Sequence, residues 1–106
     1  MAADEPRNIP VAVDDDISRI AAEIDALRKL ASDPEKAEDS ARIYDFSIRW
    51  GVLLSGRLKR LEHYHRAGQL TEGQESRYRE LRHEFKEAMP LIERLGLGRP
   101  RVPLED

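Results

Sequence analysis

Apolar residues in this chain recur at steps of three and four, and no stretch keeps the alternation of a strand. The clearest run is Gln74, Tyr78, Leu81, Phe85, Ala88, Ile92 and Leu95. Its steps average about 3.5 residues, the period of a left-handed packing seam between helices. Thr71 and Gln74 have capping-box spacing at its start. Gly96 suits the residue after its end, with Leu97 placed to touch Ile92 as in a Schellman ending. Pro90 interrupts the run. It forfeits the bond to the Lys86 carbonyl, so a kink or a separate short turn is expected there.

Two further helices are predicted upstream. Ile17, Ile20, Ala21, Ile24, Leu27 and Ala31 share an arc of about 120°, which marks a first helix over about 15–31, with Asp14, Asp15 and Asp16 at its positive end. It stops at Ser32-Asp33-Pro34-Glu35. Asp33 can cap a second helix with Pro34 in its first turn, and Ser32 with Glu35 also has capping-box spacing. The second helix is predicted to run to about Arg66, followed by the turn Arg66-Ala67-Gly68-Gln69-Leu70. The expected fold is all-α, an antiparallel three-helix bundle built on a long helical hairpin, with the first helix packed across it. Residues 1–13 carry Pro6 and Pro10, and residues 98–106 carry Pro100 and Pro103. Both read as disordered tails around a helical domain at 14–97.

The chain has 106 residues, enough for one domain, and no cysteine. Disulfides, thiolate zinc sites and cysteine nucleophiles are thereby excluded. The acidic, proline-bearing start has no basic or apolar region of a signal peptide, and no apolar run reaches the ~18 residues of a membrane span. A reducing, cytoplasmic location fits. Arginine outnumbers lysine 14 to 4, a composition typical of GC-rich bacterial genomes.

The formal net charge of −3 hides an asymmetry: residues 1–40 hold 11 acids and 5 bases, whereas 41–66 hold six bases against Asp45 and Glu62. An acidic first helix lying beside a basic second one is the plain reading, and a polyanion-binding face is the sharper one.

Residues 43–56, Ile-Tyr-Asp-Phe-Ser-Ile-Arg-Trp-Gly-Val-Leu-Leu-Ser-Gly, are the most apolar stretch. On a helical wheel with Arg42 at 0°, the apolar set of the second helix spans about 260°, far beyond the ~100° stripe of an ordinary surface helix. A continuous second helix of roughly 48 Å also outruns flanks of roughly 36 Å and 25 Å. Gly51 and Ser55-Gly56 are the places where it can break, or where another backbone can approach. The surplus points to self-association, most simply a homodimer, or to a helical protein partner. The residues expected to bind that partner are Phe46, Arg49, Trp50, Leu53 and Arg57, with the core as the competing place for Trp50. The expected function is a non-enzymatic interaction or regulatory module.

Other readings compete. Arg42, Arg49, Arg57 and Arg60 lie among Phe46 and Tyr64, a combination that can hold phosphates and stack bases, so nucleic acid is the alternative partner. Overall acidity and the lack of a helix-turn-helix pattern weigh against it. Glu62 with His65, and Glu80 with His83, have the spacing used in carboxylate-bridged metal bundles. Glu80 and His83 point away from the seam of their helix, so surface pairing is the plainer account. Gly51 and Gly56 have the glycine spacing of a phosphate-binding loop, but Arg57 and Leu58 stand where lysine and a hydroxyl are needed. No serine has a histidine at a useful helical step. No catalytic residue, cofactor or metal is therefore assigned.

Overall fold

The structure, a computed structural model, describes the backbone of residues 4–104 and the side chains from residue 12 onward. The described residues are all-helical and contain no strand. α1 covers Asp4–Ser32, α2 Pro34–Ala37, α3 Ser40–Leu53, α4 Lys59–Arg66 and α5 Glu72–Arg94. A π-helical turn, Leu54–Leu58, joins α3 to α4 without a break. No helix is long and apolar enough to cross a membrane.

α1 starts well before the expected position near Asp15. Pro6 lies in its first turn, where the amide would be unpaired anyway. The three aspartates are therefore inside the helix and accept from side chains of other elements instead of its own first amides. Asp14 accepts from Gln74 Nε2 at 3.2 Å, and Asp15 and Asp16 accept from Arg57 at 2.9 and 2.8 Å. Along α1, Val13, Ile17, Ile20, Ile24, Leu27 and Leu30 are buried at steps of three and four.

The expected second helix is divided. Asp33 caps α2, accepting from the Glu35 and Lys36 amides at 3.0 and 3.3 Å. The chain turns at Glu38, and Asp39 caps α3 by accepting from the Arg42 amide at 3.1 Å. Asp39 was not recognised as a second cap because its neighbours continue the polar pattern of a helix surface. Gly51, Ser55 and Gly56 do not end the helix either. Ser55 and Gly56 lie inside the π turn and Gly51 lies just before it; the turn carries one residue more than an α turn.

That extra residue realigns the buried line across the turn. In an uninterrupted α-helix Leu58 falls about 140° from Leu53. One additional residue sets the C-terminal half back by about 100°, which brings Leu58 and Leu61 onto the line of Phe46, Trp50 and Leu53. All five are buried. The rest of the arc of about 260° comes from Ala41, Tyr44, Ile48 and Val52, which precede the turn and face water.

α5 follows the sequence closely. Thr71 Oγ1 accepts from the Gln74 amide at 3.1 Å while Gln74 Oε1 accepts from the Thr71 amide at 2.9 Å, a complete capping box. Gln74, Tyr78, Leu81, Phe85, Ala88 and Ile92 form the buried seam. The helix continues through Pro90, on its exposed side, to Arg94 instead of restarting there, and forfeits only the one bond that the missing amide would have made. At the end Gly96 adopts φ 69°, Leu97 N–H reaches the Ile92 carbonyl at 2.9 Å, and Gly96 N–H reaches that of Glu93 at 3.1 Å, a full Schellman motif. α4 closes the same way with Gly68 at φ 70°.

Cross-helix pairs give the register. Between α3–α4 and α5 the pairs are Trp50 with Phe85, Glu62 with Tyr78, and His65 with Glu75. Between α1 and α3–α4 they are Glu23 with Arg49 and Asp16 with Arg60. Between α1 and α5 they are Asp14 with Arg77, Arg28 with Glu84, and the Ala31 carbonyl with Arg94. The segment after α5, expected as a loose tail, is held at several points. Leu97 is buried, the Gly98 carbonyl accepts from Trp50 Nε1 at 2.8 Å, and Val102 and Leu104 pack half-buried on the core. An indole N–H taken out of water needs an acceptor, and this backbone supplies it.

Candidate partner face and cationic groove

Of the five residues expected at a partner face, Phe46, Trp50 and Leu53 are buried in the protein's own core, Arg57 is half-buried and Arg49 is exposed. Phe46 and Leu53 are 6% and 8% exposed and Trp50 is fully buried. Phe46 stacks on Trp50 with centroids 5.8 Å apart, and Trp50 meets the Phe85 edge at 5.9 Å. Arg49 grips Glu23 with two bonds of 2.8 and 2.9 Å and lies over the Phe46 ring. The Glu23 carboxylate holds the guanidinium pKa above its ordinary value. Arg57 bonds Asp15 and Asp16, and Arg60 bonds Asp16 through two nitrogens at 2.8 and 2.6 Å. Arg49, Arg57 and Arg60 are thus neutralised from α1, the intramolecular reading of the charge asymmetry, while Arg42 pairs with Asp39.

The side of α3 that faces water is apolar instead. Tyr44, Ile48 and Val52 are 65%, 53% and 67% exposed, and they follow one another at steps of four. Ala41, Gly51 and Ser55 are exposed on the same arc, so the strip contains no charge. Its residues were on the helical wheel at about 200–280°, but bulk and aromaticity drew attention to Phe46 and Trp50.

A polar cluster closes the α4–α5 end. The Tyr78 hydroxyl donates to Glu62 at 2.5 Å, and His65 Nδ1 lies 2.7 Å from Glu75. Burial, followed by the bond to Glu62, pushes the Tyr78 phenol far above its ordinary pKa. Glu62 and His65 therefore each have a partner on α5, while His83 is an exposed neighbour of Glu87. Among the described residues no group of three or more histidines or acids is placed to hold a metal ion.

Beside the π turn lies a groove of about 930 Å³. Its walls are the π turn and α4 on one side and residues 98–102 on the other. Leu54, Leu58 and Val102 give it an apolar floor, and Lys59, Arg66, Arg99 and Arg101 stand around it. Arg99 pairs with Glu93 at 2.6 Å. No protein family, curated protein or solved structure matches the chain.

Proposed function

We propose that the chain is a non-enzymatic helical interaction module that pairs with a second copy of itself through the outer face of α3. The observation that carries this reading is the strip of Tyr44, Ile48 and Val52, large apolar side chains more than half exposed in a row. A two-fold interface sets a patch against itself. A strip without charge has nothing to repel its own copy, and the small residues Ala41, Gly51 and Ser55 permit close approach. The proposed frame is an antiparallel three-helix bundle on the α4–α5 hairpin, a reading supported by pairs whose numbers rise in α5 as they fall in α3–α4. The cysteine-free composition favours a cytoplasmic setting.

The polyanion reading loses support, since Arg42, Arg49, Arg57 and Arg60 all pair with acids of this chain. Two variants test the proposal together. Ile48→Asp is expected to abolish self-association, seen as a halved molar mass in light scattering, with helicity unchanged. Leu53→Asp places a charge in the core and is expected to unfold the chain. A wild type that stays monomeric over a wide concentration range sinks the proposal, as does Ile48→Asp retaining the wild-type mass.

A further inference from the structure

We infer that the groove beside the π turn binds a free amphipathic carboxylate, a single apolar chain ending in one anionic head. Most cations of this protein are already engaged: Arg19, Arg28, Lys29, Lys36, Arg42, Arg49, Arg57, Arg60, Arg77 and Arg99 all pair with acids. Arg94 donates to the Ala31 carbonyl, and among the described residues Lys59, Arg66, Arg79 and Arg101 have neither an acid nor a carbonyl partner. Three of these four line one groove. The sole acid in its walls, Glu62, is occupied by the Tyr78 hydroxyl.

Charge alone would suit any anion. The floor narrows the class. Leu54 and Leu58 belong to the π turn, Val102 comes from the C-terminal segment, and Gly51 and Ala67 leave space above them. At about 930 Å³ the groove is within the range of small-molecule sites, which are mostly apolar with a few polar groups that fix orientation. A hydrocarbon chain would lie on the floor while its carboxylate met Lys59, Arg66 and Arg101, exchanging water for charge-assisted hydrogen bonds. π turns occur often at functional sites. Here the turn supplies the floor, Trp50 pins the opposite wall through Gly98, and Trp50 is the only tryptophan in the chain.

Trp50 therefore reports on the groove. Titration with sodium dodecanoate below its micelle concentration is expected to shift Trp50 emission saturably, with calorimetry giving one site per chain. Arg66→Gln/Arg101→Gln is expected to weaken binding roughly tenfold, because two exposed charge contacts are lost. Both side chains are exposed and unpaired, so folding is unaffected. Dodecyltrimethylammonium, with the same chain and the opposite charge, is expected not to bind. The inference is overturned if both amphiphiles bind alike, if the double variant binds normally, or if vesicles of anionic phospholipid are bound while dodecanoate is not. Ile48→Asp should bind dodecanoate as the wild type does, so failure of the groove and failure of the self-association proposal read out separately.

Discussion

Asp16 is fully buried and accepts hydrogen bonds from both Arg57 and Arg60. Its partners keep part of their surface in water, so the cluster is anchored inside and screened outside. Asp16→Ala leaves Arg60 without its acid and Arg57 with Asp15 alone, and is expected to cost about 1–3 kcal/mol, less than a fully buried pair because both guanidinium groups reach water, read from urea unfolding. Next to it, the bond from Arg57 lowers the Asp15 pKa below its ordinary value. A carboxylate with a lowered folded-state pKa stabilises above its unfolded value, about 3.9, and that contribution is lost as pH falls through the folded value. Arg57→Gln is therefore expected to flatten the acid limb of a stability–pH curve below about pH 4. Tyr78 acts at the other end of the range. Its raised pKa means that its contribution is complete below about pH 10 and disappears as pH climbs above that. Absorbance near 295 nm should show one phenol ionising only as helicity is lost, and Tyr78→Phe should remove that phase. None of these partnerships was visible in the sequence. The charge asymmetry showed that α1 and the central helix attract, but which acid meets which arginine depends on a register no local pattern carries.

α5 was the most legible element, because every device that defines it is local. The capping box needs only Thr71 and Gln74, the seam only its own period, and the ending only Gly96 followed by Leu97. Gly96→Ala meets no atom within 4 Å, so its cost is that of a side chain at φ 69°, about 1 kcal/mol in thermal unfolding. Of the kink or separate turn expected at Pro90, the separate turn does not occur, since the helix passes through Pro90 on the exposed side. Pro90→Ala restores an amide that can reach the Lys86 carbonyl and is expected to stabilise by about 1–2 kcal/mol. The central helix was less legible for the opposite reason. Its π turn has no residue signature, and a wheel drawn at a constant angle spread one buried line over a wide arc. Phe46, Trp50 and Leu53 precede the turn and are buried because their side of α3 meets the core, whereas the partner reading needed them outside, with the core as the competing place for Trp50.

The molecule spans 53 × 28 × 18 Å, with a radius of gyration of 15.1 Å against about 13 Å for a compact chain of this length. Its shortest dimension is less than two helix diameters of about 10–12 Å, so each helix presents a face to water. α1 and α5 use theirs for charge, whereas α3 presents Tyr44, Ile48 and Val52. The all-α class followed directly from periodicity. The groove did not, since it arises only where residues 98–102 fold back over the π turn. That turn can also be read along the sequence. Phe46, Trp50, Leu53, Leu58, Leu61 and His65 step by four and three except for a single five, and loss of one codon between Leu53 and Leu58 would make the steps regular throughout. Written this way, the turn is one residue beyond what the seam needs. Deleting Gly56 should leave a straight helix with an undiminished melting temperature, checked by circular dichroism, and a chain that no longer takes dodecanoate. In that outcome the surplus codon serves the ligand, and the core never required it.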